Sequence, residues 1–336
     1  MRGSFWRSAG RHRRSWGICG TIALLEGRVL LTEIGVHRGR QFTQDVNGNR
    51  MADAVADREF NFGNPDDIPV VGDWNGDGFD EVGVFRTGTW YFDINGNSRW
   101  DGATGGDLVV PFGIAGDIPY VGDWNGNGAV NIGVVRNGYF YLDSNENGVW
   151  DGMAGGDYYG RFGNASDIPI AGDWGGFGRD NIGVFRDGMF YMDVNGNGIW
   201  EAASDARFAF GNPGDVPVIG DWNGDLIADV GVVRSGFWYL DQNGSRSWDN
   251  TGGGDAWFIY GNATDRPIVG EWRPQVVFDR GSDFSSMSSA ETVRGDAVES
   301  REANQTLYRE VASSPKRRAF DVSPEEMDDY FAGLVV

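Results

Sequence analysis

Five short segments place oxygen-bearing side chains at alternate positions and close on an acid. They are Asp45, Asn47, Asn49 and Asp53; Asp93, Asn95, Asn97 and Asp101; Asp143, Asn145, Asn147 and Asp151; Asp193, Asn195, Asn197 and Glu201; and Asp241, Asn243, Ser245 and Asp249. All fit D-x-N-x-[NS]-x-x-x-[DE]. Oxygens at alternate positions of a tight loop converge on one hard cation, and an acid four residues further on closes the cage; calcium is the ion such a cage suits. The competing explanation is turn chemistry, because Asn-Gly between aromatic strands is the commonest type I′ hairpin sequence and needs no metal. A turn accounts for the Asn and the Gly. It does not account for Asp at the first position and an acid at the ninth in every copy, while the residues between them change freely. Two carboxylates and two amides neutralise one divalent ion with little excess charge, which predicts weak, extracellular-type affinity of about 10⁻⁴ to 10⁻³ M. Further acids at Asp57, Asp107, Asp157, Asp205 and Asp255 either complete the shell or begin the next strand.

A second loop family carries the same pattern less regularly: Asp73, Asn75, Asp77 and Glu81; Asp123, Asn125, Asn127 and Asn131; and Asp221, Asn223, Asp225 and Asp229. Gly175 and Phe177 remove two donors from the copy at Asp173, Leu226 replaces a turn glycine, and Arg273-Pro274 erases the fifth copy. The sequence ranks these sites below the first family and orders them as written.

Both loop families ride on one repeat. Gly-Asp-Trp recurs at Asp73, Asp123, Asp173 and Asp221, with Gly270-Glu271-Trp272 as a degenerate fifth copy, at spacings of 50, 50, 48 and 50 residues. Each unit runs through an Asp-Ile-Pro-like turn, an apolar run, the Asp-Trp loop, a Val-Gly-Val-Phe-Arg-like run, an aromatic run, the more regular loop and a last apolar segment. That order predicts four strands, in the first full unit at 68–74, 81–86, 89–94 and 107–112. Four-stranded units at this period build β-propellers. Residues 33–62 match only the later part of a unit and residues 260–272 only its beginning. The expected fold is therefore all-β, a propeller of five four-stranded blades, one of them closed by strands from both ends so that no sheet edge stays open. Residues 274–280 leave an imperfect sixth blade as an alternative.

Composition agrees. Among 336 residues there are 54 Gly and 14 Trp, the signature of short strands and many tight turns. The net charge is −21, yet residues 1–40 hold eight Arg against two Glu, so the remainder is more acidic still. Such a body repels phosphate backbones and argues against a nucleic-acid partner. Cys19 is the only cysteine and excludes an intrachain disulfide. The domains expected are a basic leader at 1–31, the propeller at 32–281, and a Ser-rich linker with a tail at 282–336. Within that tail, Ser323-Pro324-Glu325-Glu326 starts a short capped helix. The apolar run 16–25 is too short to span a membrane, and Arg13-Arg14 loosely resembles a twin-arginine signal.

Other recurrences call for packing roles. Trp100, Trp150, Trp200 and Trp248, with the Trp of each Asp-Trp pair, are read as core between sheets rather than as a stacking platform for sugars. Arg38, Arg86, Arg136, Arg186 and Arg234 are expected to bond neighbouring loops or carbonyls. His12 and His37 are the only histidines, and neither sits beside a nucleophile motif.

Residues 72–86, Gly-Asp-Trp-Asn-Gly-Asp-Gly-Phe-Asp-Glu-Val-Gly-Val-Phe-Arg, resemble the FG-GAP/VCBS-type repeats of integrin-α-like propellers. The resemblance covers roughly residues 32–281. It implies calcium in D-x-[DN]-x-[DN]-G loops and a ring used for adhesion or ligand recognition; the shorter unit and lower blade count mean that the family's ligand surface is not carried over. Leu25-Glu26-Gly27-Arg28-Val29-Leu30-Leu31 resembles the LE-x-R-x-LL segment of secreted surface proteins of planctomycete-type bacteria. Together these lead to the expectation of a secreted or surface-attached calcium-binding propeller whose partner is a protein or polysaccharide. The alternatives are a carbohydrate-active enzyme with a central carboxylate pair and a purely structural module.

Overall fold

The computed structural model describes residues 31–273. Their strands form five antiparallel four-stranded sheets arranged as the blades of a β-propeller. Blade 1 contains β1 (Glu33–Arg38), β2 (Gln41–Gln44), β3 (Arg58–Asn61) and the last strand of the ring. Blade 2 has β4 (Ile68–Gly72), β5 (Glu81–Arg86), β6 (Thr89–Phe92) and β7 (Leu108–Pro111). Blade 3 has β8 (Ile118–Gly122), β9 (Asn131–Arg136), β10 (Tyr139–Leu142) and β11 (Tyr158–Arg161). Blade 4 has β12 (Ile168–Gly172), β13 (Asn181–Arg186), β14 (Met189–Met192) and β15 (Ala206–Ala209). Blade 5 has β16 (Val216–Gly220), β17 (Asp229–Arg234), β18 (Phe237–Leu240) and β19 (Ala256–Ile259). The last strand is β20 (Arg266–Gly270).

The expected closure is present, but it does not remove the sheet edges: each blade still ends in an inner and an outer strand paired on one side only, because the blades are separate sheets. β20 pairs antiparallel with β1, with Glu33 opposite Gly270 and His37 opposite Arg266, so both ends of the ring lie in one sheet. Thr32 reinforces the seam: its N–H donates to the Asp221 carbonyl at 3.0 Å, and its Oγ1 accepts the Asp221 N–H at 2.9 Å. The sixth-blade alternative, the leader and the predicted C-terminal helix fall outside the described residues.

The first strand of each unit borders its counterparts around the axis, where β4, β8, β12, β16 and β20 line a channel of about 600 Å³. The second strand of each blade is buried at nearly every position, as a strand covered on both faces must be. Gly83 shows how tight this layer is. A β-carbon there would meet Phe92 at 2.8 Å and the Tyr91 carbonyl at 3.0 Å.

Apolar clusters fill the spaces between neighbouring blades. Trp74, Phe85, Trp90 and Phe92 of blade 2 pack with Ile132 and Val134 of blade 3, and equivalent sets recur around the ring. At the seam, Trp222, Trp238 and Tyr260 pack on Ile34 and Val36. Trp90 and Trp238 satisfy their buried indole N–H groups on the carbonyls of Phe112 and Tyr260, as buried tryptophans usually do; Trp74 Nε1 is buried without a partner.

Connections between first and second strands and between third and fourth strands emerge on one side of the ring, which carries both loop families. On the other side, Arg38, Arg86, Arg136, Arg186 and Arg234 each bind one carboxylate through Nε and Nη2, pairing with Asp265, Asp67, Asp117, Asp167 and Asp215 at 2.6–2.8 Å. The same carboxylates accept a turn N–H three residues earlier. Each arginine, on the second strand of a blade, thus bonds the acid that opens the inner strand of the same blade. Four of them also lie 4.6–5.4 Å over Tyr91, Tyr141, Tyr191 and Tyr239.

Candidate functional site

In the loop between the third and fourth strands, the first Asp is the hub. Asp45 accepts the N–H of Asn49 at 3.2 Å and of Arg50 at 2.6 Å. Asp93, Asp143, Asp193 and Asp241 accept the corresponding two N–H groups. The amide oxygen at position three accepts the N–H of position five in each copy. Backbone geometry excludes the hairpin-turn explanation. A type I′ turn needs two consecutive residues at positive φ, whereas here positions four and six are left-handed: Gly48 and Arg50, Gly96 and Ser98, Glu146 and Gly148, Gly196 and Gly198, Gly244 and Arg246.

Positions five and nine are drawn together. Asn97 and Asn147 donate to Asp101 and Asp151, Asn197 donates to Glu201 at 2.9 Å, and Ser245 Oγ donates to Asp249 at 2.9 Å. Asp53 instead accepts the N–H groups of Val55 and Ala56.

The acids beyond position nine belong to these loops. One oxygen of Asp57, Asp107, Asp157, Asp205 and Asp255 accepts the backbone N–H of the ninth-position residue. The other, Oδ1, is buried and has no partner in all five. Asp57, Asp107, Asp157 and Asp255 are 4–6 % exposed. Burial pushes the hub carboxyls up, Asp93 and Asp143 to about 6, against the pull of their backbone donors; the nearby Asp107 and Asp157 add to the rise. The same neighbour acts in the other three blades.

The loops between first and second strands have the same shape and differ in charge. Asp73 accepts the N–H groups of Gly76, Asp77 and Gly78, and Asp123 those of Gly126, Asn127 and Gly128. Asp221 accepts from Gly224 and Leu226. Leu226 takes the left-handed conformation usually left to glycine, with φ 67°. Asp225 accepts the Ile227 N–H, and Asn223 accepts the Asp225 N–H.

The ninth position of this loop faces the fourth position of the other loop in the same blade. A β-carbon on Gly96 would lie 3.2 Å from Glu81, and one on Gly244 3.2 Å from Asp229. Blade 3 reverses the assignment: position nine is Asn131, and the acid comes from position four, Glu146. Asn125 donates to Glu146 Oε1 at 2.7 Å and Asn131 at 3.2 Å, with Asn127 as a third donor. Glu146 is 9 % exposed and sits at φ 59°, where the other blades have glycine. It was missed from sequence; the available signal was an acid at the one variable position that is otherwise always Gly. In blade 4 the compartment has no acid, and Arg179 and Asn181 lie beside Gly196.

Burial and neighbouring acids push Glu81 up to about 9 and Asp229 up to about 7. Nearer the axis, burial pushes Asp80 and Glu271 up to about 7 and Asp180 to about 6. Asp80 and Asp180 each accept a backbone N–H from the preceding blade, that of Glu271 at 2.8 Å and of Asp123 at 2.9 Å. His37 is buried 4.5 Å from the Phe42 ring, and burial, with Arg266 nearby, lowers it to about 4.

Trp100, Trp150, Trp200 and Trp248 correct the reading of them as core. They are 39–44 % exposed, whereas Trp74, Trp174, Trp222 and Trp272 are buried. Each exposed indole stands edge-on to a tyrosine of its own blade at 5.2–5.6 Å and to a phenylalanine of the preceding blade at 6.1–6.5 Å. The reason is position: they lie in the loops between third and fourth strands, outside the layer packed between blades.

Among the described residues, no three His, Cys, Asp or Glu side chains are arranged to hold a metal ion as they stand. The hub carboxylates face their own backbone donors, and the ninth-position acids of blades 2 to 5 accept from side-chain amide N–H or hydroxyl groups. No described helix is long and apolar enough to cross a membrane. No protein-family model matches the chain, and no curated protein matches it.

Proposed function

We propose that this propeller binds calcium in the loops between its third and fourth strands and acts outside the cell or at its surface as a recognition module for protein or polysaccharide. The observation that supports calcium most directly is the recurrent unpartnered Oδ1 of Asp57, Asp107, Asp157, Asp205 and Asp255. An unsatisfied buried polar group costs about 1–3 kcal/mol, and more when charged, so one such oxygen in every blade calls for a missing counter-charge. In blade 2 the residues that would hold the ion are Asp93, Asn95, Asn97 and Asp101, with Asp107 behind them, and their all-oxygen chemistry suits a hard cation. The bound ion supplies charge neutralisation. The protein's own part is to gather the donors and bury them. In a chain with one cysteine, such an ion clips a loop as a disulfide does in small secreted domains.

Recognition rests on the rim. Four partly exposed indoles recur around the ring, each next in sequence to the ninth-position acid of a loop. An aromatic surface beside oxygen-rich groups is suited to sugar rings and to mixed apolar and polar protein surfaces. Calorimetric melting with calcium and with chelator tests the first part; identical curves refute it. A glycan array read with and without chelator tests the second. Calcium-dependent retention supports recognition, and glycan turnover would transfer the case to the enzyme alternative.

A further inference from the structure

We infer that Arg273 is a tethered cation in the blade 2 compartment and that a free divalent ion and this guanidinium compete for the same carboxylates. This rests on the reading of the loops as cation sites. Arg273 follows β20 and stands where intact loops carry their position-three donor, as at Asn75 and Asn125. Instead of serving blade 1, its side chain crosses into blade 2. There Nη2 donates to Asp77 Oδ2 and, at 3.3 Å, to Glu81 Oε1, and its Cζ lies 5.3 Å over the Phe79 ring.

Two further observations mark this compartment as built for positive charge. Glu81 is 4 % exposed, and its Oε2 is buried without a partner, although Oε1 accepts from both Asn75 at 2.7 Å and Arg273. One guanidinium thus leaves the carboxylate half satisfied. Opposite it, a β-carbon on Gly96 would come within 3.4 Å of Arg273 Nε, so the glycine leaves room for the arginine. The Arg273 carbonyl also accepts from Arg58 Nη2 at 2.7 Å. Its backbone is therefore anchored to blade 1 while its charge serves blade 2, across the junction next to the closing strand. A small ion that binds Glu81 with both oxygens must first displace the arginine, so ion affinity here reports on the attachment of the ring's last segment.

Calcium titration by calorimetry on the full chain, wild type against R273Q and R273Q/E81Q, tests this. If the tether is in place about nine-tenths of the time, removing it tightens one site by about tenfold. R273Q then shows one additional calcium equivalent or one site tightened to that extent, and R273Q/E81Q loses the gain. Unchanged titration in R273Q, or a gain that survives E81Q, overturns the inference. Wild-type binding with no R273Q gain would defeat the tether alone; a gain in R273Q without wild-type binding would support the tether and defeat the proposal for the other loops; no binding by either would defeat both. If R273Q does not fold in chelator, its circular dichroism is followed against calcium. Recovery supports exchange between arginine and ion, and failure to recover overturns it.

Discussion

The two sides of the ring solve the same problem in opposite ways. On the turn side, each recurrent Asp is buried and meets an arginine of its own chain through two hydrogen bonds. Against burial, which would raise it, the Arg38 pair holds Asp265 below the ordinary carboxylate range. On the loop side, recurrent Asp residues of similar burial meet backbone N–H groups with a second carboxylate nearby, and burial moves their pKa upward. The turn side carries its own counter-charges, while the loop side leaves at least one carboxylate oxygen per blade without any. Identical residue types thus divide into a set that carries its own counter-charge and a set that does not.

The largest effect should come from separating the two sides by chelation. At calcium tenfold above its dissociation constant, each site contributes about 1.4 kcal/mol, so five loops together should lower the melting temperature markedly when calcium is withdrawn. Asp107→Asn should remove one such contribution in calcium and raise stability in chelator, because it relieves repulsion with Asp93; denaturant titration in both conditions reads the change of sign.

Arg136→Ala breaks the turn side instead. It strands Asp117, whose side chain is 1 % exposed, although the guanidinium itself is a third exposed. A loss of about 2 kcal/mol follows, discounted for that exposure, and it should be equal with and without calcium. A calcium-dependent loss would mean that the two sides are not independent.

Acidity sharpens the contrast further. Asp80, Glu271 and Asp229 titrate at about 7 in the folded protein and near 4 when unfolded. Between those values the folded state holds more protons. The stabilisation is fully present below the unfolded pKa, falls as pH rises, and is lost above about 7. In chelator, melting temperature should therefore be higher near pH 5 than near pH 8. Calcium, which competes with protons for carboxylates, should narrow or reverse that gap.

The smallest effect concerns the exchanged acid of blade 3. Glu146→Gly relieves a left-handed glutamate but leaves the amides of Asn125, Asn127 and Asn131 without their acceptor, for a net loss of about 1 kcal/mol. Adding Asn131→Glu recreates the blade 2 pairing of Glu81 with Gly96 and should restore most of it. No recovery would show that the two loops do not share one compartment.

Much of the ring was legible because a repeated unit repeats its constraints. The 50-residue spacing gave the blades, and the partial matches at 33–62 and 260–272 gave the β20–β1 seam. The strand expected to reach Trp74 ends at Gly72 because Trp74 N–H turns back to the Gly72 carbonyl. Features that break the repeat were harder to see. Glu146 occupies a position whose importance comes from left-handed backbone and from Asn131, fifteen residues away. Arg273 looked like the loss of a donor; its role depends on partners 192 and 196 residues away. Aromatic character alone did not distinguish Trp100 at the rim from Trp74 in the core, because exposure is set by where the loop leaves the sheet.

The seam has a mechanical and temporal consequence. Trp272 Nε1 donates to the Ile34 carbonyl, a contact between residues 238 apart. During synthesis at about 5–20 residues per second, β1 waits with an open edge for tens of seconds or somewhat less before β20 exists. Once the strands are paired, the start of β1 lies beside the end of β20. A pull on the two chain ends therefore peels the pair one residue at a time instead of shearing all its bonds together. The strand pair that closes the ring is also the place where tension would open it first.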